Sequence, residues 1–348
     1  MTHSKITKSE IIILEIFLTH SLFVGNGFAR IFEVSGSDTW ISMLLGMLLG
    51  IGILYIFDLV FKNVGYNLKL YLTQHKALKL FLYPIIFIYF FVLMAFPVLA
   101  VEALVNSYYL TNTSPFLIVI PFVILLFYMS IKGKITIVRV FEFFMPFAIL
   151  FTLIGVFGLT KNVNFDNFLP ILNNSTENIF MGSLIFVILT GAFNFLLIDE
   201  NVDFKTKLIG YILGCLDIIL TSLVITGVLG KYFIKMYSFP EYMAIKKINL
   251  FSSLQNLENI IYMPGYFYLL SMASLALFKI KEMQKKESSF ILPLLVSILC
   301  ICLITILYSN NYSLMISTSK YLTYVLGILM FILGPILYLL TKQRKKKN

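Results

Sequence analysis

Long apolar stretches alternate along the whole chain with short polar connections. An α-helix needs about 20 mostly apolar residues to cross the hydrocarbon core of a membrane. By this measure the pattern predicts ten membrane-spanning helices, at residues 10–32, 39–61, 79–108, 116–131, 139–159, 179–198, 207–230, 255–278, 290–308 and 320–341. Shorter amphipathic segments at 242–250 and 68–74 predict interfacial helices outside and inside the membrane, respectively.

The composition agrees with a membrane-embedded chain. Of the 348 residues, 59% are hydrophobic and 13% charged, whereas soluble domains average about 45–50% apolar and about 25% charged residues. These proportions exclude a soluble domain, a disordered chain and a nucleic-acid-binding protein. We expect an all-α integral membrane protein that forms one transmembrane domain over residues 1–348, is surrounded by lipid and has no nucleic-acid partner.

The distribution of basic residues predicts the orientation. If the N-terminus is cytoplasmic, the connections on the cytoplasmic side hold 20 of the 27 Lys and Arg residues, including the basic tail. Basic residues concentrate on the cytoplasmic side of membrane proteins. We therefore expect an even number of spans, with both the N- and C-termini in the cytoplasm.

Ten helices can form two five-helix halves, here residues 1–165 and 166–348, and an odd number per half inverts the second half. Transporters of this type bind substrate at the midplane, where corresponding helices are broken. The first helix of each half carries a mid-span interruption, Gly25-Asn26-Gly27 and Thr190-Gly191-Ala192-Phe193-Asn194. We predict that helices 1 and 6 are broken there and that Gly25, Asn26, Gly27, Thr190, Gly191 and Asn194 bind a small solute. Close packing of glycines between helices is the alternative.

Other residues within the spans are weaker candidates for the same site. Tyr89, Met94 and Ser271 are predicted to line the cavity, although packing alone also explains them. Ionisable residues inside a membrane are costly and commonly functional or paired, which singles out Glu15, Glu102 and Asp217. The sequence contains no Walker loop, GxSxG, HExxH or metal-binding Cys/His spacing, so we expect no enzymatic activity, no cofactor and no metal.

Several short motifs, in order, resemble those of the spore germination permease family, which supplies the B subunit of nutrient germinant receptors and falls within the amino acid–polyamine–organocation superfamily. The motifs are Ile6-Thr7, Gly25-Asn26-Gly27, Asp38-Thr39-Trp40-Ile41-Ser42, Thr113-Ser114-Pro115, Arg139-Val140-Phe141-Glu142 with Pro146, Phe168-Leu169-Pro170, and the stretch from Tyr237-Ser238-Phe239-Pro240 to Leu257-Glu258. The family's arginine is missing from Gln255-Asn256-Leu257-Glu258, which argues against charge-coupled transport.

The resemblance implies a fold like that of the amino-acid transporters with inverted repeats. It implies a subunit in the inner membrane of the spore that binds a small nutrient, most often an amino acid, and triggers germination together with an A subunit and a lipoprotein C subunit. Two other functions remain open from the sequence. The first alternative is a secondary transporter that moves an amino acid with a cation. The second is a structural scaffold for a channel-forming partner.

Overall fold

The computed structural model describes residues 6–25, 27–64, 76–111, 113–191, 196–198, 202–237, 239–248, 257–284, 289–308, 318 and 320–331. Every regular element in these ranges is helical. The α-helices are α1 Lys8–Ser21, α2 Gly27–Ser35, α3 Thr39–Val64, α4 Lys76–Tyr108, α5 Pro115–Lys132, α6 Lys134–Leu159, α7 Thr176–Leu189, α8 Phe204–Met236, α9 Pro240–Ile245, α10 Leu257–Ile261, α11 Met263–Glu282, α12 Ile291–Tyr308 and α13 Lys320–Phe331.

Six helical segments in the described ranges are long and apolar enough to cross a membrane, and three shorter apolar helices accompany them. Large apolar side chains cover the outward faces of α3, α5, α6 and α12. In water this surface would be unfavourable, but lipid tails are as apolar as the side chains themselves. The chain is therefore a multi-pass, all-helical membrane protein, while the total of ten spans remains a prediction.

Helices α1 and α11 form the centre of the bundle. Helix α1 packs against α8, α11 and α6, and α11 packs against α4, α1, α6 and α5. Around them, α3 packs along α7 and α2 packs on α7. Most side chains of α1 and α11 are consequently buried, including small polar ones such as Thr19, Ser271 and Ser274.

The structure corrects several predicted boundaries. Helix α6 begins at Lys134 rather than residue 139, because Gly133 alone, with φ of +99°, makes the turn from α5. Helix α8 continues past the predicted end at residue 230 to Met236, although Gly230 itself is non-helical. The predicted span 255–278 is two helices, α10 and α11, and the second reaches Glu282.

The amphipathic helix predicted at 242–250 differs in extent from the prediction. It is the two-turn helix α9, Pro240–Ile245, and its Tyr242 and Ala244 are buried against the bundle. Lys246, just after α9, lies over the rings of Tyr108 and Tyr242. Helix α9 therefore covers the protein rather than the lipid surface. The predicted inner helix at 68–74 lies outside the described residues.

Asp38, in the turn between α2 and α3, joins this turn to the loop before α7. Its carboxylate accepts hydrogen bonds from the Leu172 and Asn174 amides at 2.7 and 3.0 Å and from the Asn174 side chain at 3.0 Å. Asn174 also donates to the Ser35 carbonyl at 2.7 Å. The loop that leads into the second predicted half is thereby fixed against the outer end of α2.

Candidate functional site

The first predicted helix is broken at the Gly-Asn-Gly motif. Helix α1 ends at Ser21, the chain turns through Leu22–Gly25, and α2 begins at Gly27. Gly25 has φ of +98°, a conformation that a residue with a Cβ adopts only at a cost. Asn26 lies outside the described residues. Helical bonding is only partly kept across the break: the Val24 amide still donates to the His20 carbonyl at 2.9 Å. The Gly25 amide donates instead to the Glu241 side chain at 3.0 Å.

The sixth predicted helix is interrupted in a similar way. Helix α7 ends at Leu189, and Gly191 has φ of +61°. The Thr190 hydroxyl donates to the Phe186 carbonyl at 2.8 Å and lies 3.1 Å from the Tyr211 hydroxyl. Asn194 lies outside the described residues. Both helices thus end shortly before a glycine with positive φ, and both glycines belong to the motifs that the sequence analysis identified.

The two interruptions are packed against each other by apolar contacts. A Cβ on Gly27 would lie 3.4 Å from the Leu189 side chain, and the rings of Phe23 and Phe186 meet edge to face at 6.1 Å. Among the described residues, therefore, apolar side chains fill the space directly between α1 and α7. The open space lies on the other side of the α1 break.

That space is a cavity of about 130 Å³. Its walls come from the α1 break and from α6, α8, α9, α10 and α11. Apolar side chains make up most of the lining, among them Phe23, Phe28, Val156, Ile218 and Ile225. The polar lining residues are His20, Thr152, Asp217, Thr221, Glu241, Tyr262 and Tyr268. Apolar walls with a few polar groups are typical of small-molecule sites.

His20, which is buried, and Asp217, which is partly exposed, form a pair at one wall of the cavity. The Nε2 atom of His20 lies 2.9 Å from a carboxylate oxygen of Asp217, and its Nδ1 atom lies 2.9 Å from the Ile16 carbonyl. Because a carbonyl only accepts, Nδ1 carries a proton, and the Nε2–carboxylate contact must hold a second one. The pair is therefore either histidinium with aspartate or neutral histidine with aspartic acid. The His20 ring stacks on Tyr268 with centroids 4.4 Å apart.

Glu241, on α9, contacts the main chain at the α1 break. Its Oε1 atom accepts from the Gly25 amide at 3.0 Å and from the Tyr262 hydroxyl at 3.4 Å. Its Oε2 atom is buried and accepts no hydrogen bond from any described residue. Burial raises the pKa of Glu241 to about 7, although the Gly25 and Tyr262 bonds favour the charged form. An acidic group with one unused oxygen therefore lies in the cavity wall.

The remaining predicted site residues lie elsewhere in the bundle. Tyr89 and Met94 are buried within α4, and the Ser271 hydroxyl donates to the Tyr268 carbonyl at 2.7 Å. None of them, and neither Thr190 nor Gly191, lines the cavity as the described residues form it. Asp217 does line it, and Gly25 adjoins it through Val24 and Glu241.

Of the other in-membrane acids, Glu102 accepts from the Asn106 side chain at 3.1 Å, and Glu15 packs by its Cβ against Gly210 of α8. Acidic and basic side chains face each other along the α1–α8 contact: Lys8 with Asp203 at 2.6 Å, Glu15 with Lys207, and His20 with Asp217. Residues Gly210 and Gly214 let α1 approach closely between these pairs. The pairs fix how the two helices are aligned along their length.

Sequence reasoning missed His20, Glu241, Tyr262 and Tyr268. His20 lies five residues before Gly25, so its closeness to the break was readable. Glu241 follows Phe239-Pro240, a helix-start signal, but its burial depends on α9 folding back over the cavity. In the described residues, no group of three His, Cys, Asp or Glu side chains is close enough together to bind a metal ion.

The fold and the cavity define a class: a multi-pass membrane protein in which an interrupted helix borders a largely apolar cavity with acidic groups in its walls. A family model described as a spore germination protein, a spore permease, matches residues 5–313. The chain belongs to this spore germination protein family. No curated protein matches the chain.

Proposed function

We propose that the chain is the membrane-embedded sensing subunit of a nutrient germinant receptor, and that the cavity beside the α1 break binds the nutrient, an amino acid. In this role the subunit binds and signals rather than catalyses a reaction. It acts with A- and C-type receptor subunits in the inner membrane of the spore, with both termini in the cytoplasm. Family membership supports the role in germination.

The observation that carries the proposal is an interrupted helix whose irregular backbone borders a cavity with ionisable side chains in its walls. Irregular backbone is tolerated at membrane depth only where it is buried in protein or lines a cavity. Here the irregular backbone of residues 22–25 adjoins a cavity that also receives His20, Asp217 and Glu241. A purely structural scaffold gains nothing from such a costly arrangement, because apolar side chains would fill the same space more favourably.

The pattern of helix contacts supports the inverted-repeat architecture that this proposal includes. The strongest contacts are those of α1 with α8, α3 with α7, and α4 with α11. In terms of the ten predicted spans these are helix 1 with 7, helix 2 with 6, and helix 3 with 8. Exchanging the two halves turns the first two pairings into each other and leaves the third unchanged, as a pseudo-two-fold axis requires.

The proposal is tested by filling the cavity. Thr221 lines it, and its hydroxyl donates to the carbonyl four residues earlier, Asp217, at 2.9 Å. Thr305 makes the same bond to Ile301 at 2.8 Å but lies on α12, away from the cavity. We expect spores carrying Thr221→Phe as their only copy to lose the fall in optical density triggered by amino acids, tested singly as a panel of twenty.

The matched variant Thr305→Phe should respond like the unaltered protein, and immunoblots should show equal amounts of both variants in the spore membrane. A normal response of Thr221→Phe spores would contradict nutrient binding in this cavity. Loss of response in both variants at equal protein amounts would show that the effect is not specific to the cavity, and would also contradict the proposal.

Proton-coupled transport is the second candidate, and the His20–Asp217 pair favours it. The pair holds a proton at its contact and faces the cavity, which is the placement that a proton-coupled carrier needs. Uptake of labelled amino acids into proteoliposomes separates the two functions. Concentrative uptake that requires a pH gradient and disappears in Asp217→Asn would establish transport, whereas binding without uptake supports a receptor.

A further inference from the structure

The charges around the cavity point to the chemical group that it recognises. Two carboxyl side chains, Asp217 and Glu241, line the cavity, and His20 is the single basic residue among the described lining residues. His20 already uses both ring nitrogens, on the Ile16 carbonyl and on Asp217. The described lining thus has an excess of acidic groups and no cation left to bind an anion.

The main-chain donor at the helix break is also occupied. In transporters with broken helices, main-chain amides at a break can bind a substrate carboxylate. Here the Gly25 amide donates to Oε1 of Glu241 at 3.0 Å. The protein's own side chain therefore fills the position in which a ligand carboxylate would be expected. The unused group is the opposite one, the buried Oε2 atom of the same carboxylate.

Resting on the proposed nutrient site, we propose that this cavity recognises a small ligand by its ammonium group. The ammonium pairs with the carboxylate of Glu241, whose Oε2 atom has no other partner among the described residues. An apolar body of the ligand packs on the surrounding side chains, and no ligand carboxylate is required. A cavity of about 130 Å³ is of the size that holds one benzene-sized molecule. The class is therefore short branched or linear primary amines and the amino acids that share their side chains.

The experiment compares three probes that differ only in their polar groups. L-Valine carries both groups, isobutylamine is valine without its carboxylate, and isovalerate is valine without its amine. The dissociation constants are measured by calorimetric titration of the full-length chain in detergent at pH 8. The value for isobutylamine should lie within about tenfold of that for L-valine. The value for isovalerate should be at least tenfold higher than that for isobutylamine, because buried like charges repel.

A variant assigns the effect to one oxygen. Glu241→Gln keeps an acceptor for the Gly25 amide but presents an NH2 group where Oε2 was, so isobutylamine should bind at least tenfold more weakly. Glu177→Gln, at an exposed position in the first turn of α7, is the matched control and should bind like the unaltered protein. Circular dichroism and gel filtration should show both variants folded.

The outcomes separate this inference from the proposed function. Isovalerate binding as tightly as isobutylamine, no binding of isobutylamine, or full binding by Glu241→Gln would each overturn the ammonium site. If Thr221→Phe spores nevertheless fail to germinate with nutrients, the cavity remains the nutrient site, and only the ligand group that it recognises was assigned wrongly. If those spores respond normally while isobutylamine binds through Glu241, the ammonium site stands and the sensing role fails.

Discussion

Lowering the pH should weaken amine binding through Glu241, whose burial raises its pKa to about 7. Only the ionised carboxylate attracts an ammonium group, and an alkylamine resembles a Lys side chain, with a pKa of about 10.4. The amine therefore stays charged across the neutral range, and the apparent affinity follows the ionised fraction of Glu241. With a pKa of about 7, this fraction is about 0.9 at pH 8 and about 0.1 at pH 6, so the dissociation constant should rise about tenfold on acidification.

A change in affinity between pH 6 and pH 8 distinguishes this carboxyl from an ordinary one, because a surface glutamate is already ionised at pH 6 and would give no change. The assay is calorimetric titration with isobutylamine at pH 6, 7 and 8, repeated in two buffers of different ionisation enthalpy, because binding near pH 7 should release protons. Other titratable groups line the same cavity, namely Tyr262, Tyr268, His20 and Asp217. Lys246, just after α9, lies over the Tyr242 ring.

The variants identify which of these groups titrates. Asp217→Asn should retain the tenfold change, whereas Glu241→Gln should bind weakly and equally at pH 6 and pH 8. A dissociation constant that is the same at both pH values in the unaltered protein would refute the reasoning. The same tenfold change in Glu241→Gln would also refute it, by assigning the titration to the His20–Asp217 pair.

Three experiments test packing in the bundle by thermal unfolding in detergent. Gly210→Ala should lower the free energy of unfolding by about 1–3 kcal/mol, because the new Cβ would lie 2.6 and 2.9 Å from atoms of α1. The control Gly52→Ala, whose new Cβ would have nothing within 4 Å, should leave this free energy unchanged or raise it by up to about 1 kcal/mol. Equal effects of the two substitutions would argue against close α1–α8 contact. His20→Gln and Asp217→Asn should be non-additive by about 0.5–3 kcal/mol in a double-mutant cycle, and strict additivity would mean that they do not interact. Asp38→Ala should cost at least about 1.5 kcal/mol, because three donors lose a charged acceptor; an unchanged midpoint would contradict the role of this turn.

Local features of the sequence predicted the helices and both interruptions. A long apolar stretch has few alternatives to a spanning helix, because lipid cannot satisfy backbone groups. Gly25 and Gly191 were recognisable because glycine tolerates positive φ, and both adopt it. The boundaries that were predicted wrongly, such as the start of α6, depended on a single-residue turn at Gly133 that the surrounding lysines obscured.

The composition of the cavity could not be derived in the same way. Asp217 was recognisable as an ionisable residue in a span, but its partner His20 lies 197 positions earlier in the chain. Glu241 is 216 positions from Gly25, to which it is bonded. Such pairings are products of tertiary packing, and no local pattern encodes them. They also explain why the cavity lies beside α6, α8 and α11 rather than between the two predicted breaks.

The position of Glu241 suggests how ligand binding reaches the rest of the bundle. Its one carboxylate joins α9 to the α1 break, and α1 is aligned with α8 by charged pairs along its length. A ligand shifts a conformational equilibrium only by its differential affinity for the two states. Charge-assisted hydrogen bonds contribute about 1.5–3 kcal/mol and neutral ones about 0.5–1.5, so ionising Glu241 strengthens its bond to Gly25 by about 1 kcal/mol. This free energy corresponds to about a fivefold shift in the population ratio of the two conformations. It is too small to act as a complete switch, because changing that ratio from 1:99 to 99:1 requires about 5.5 kcal/mol. Most of the signal must then come from the apolar contacts of the ligand with α6, α8 and α11, and ammonium recognition would serve mainly to select which molecules make them.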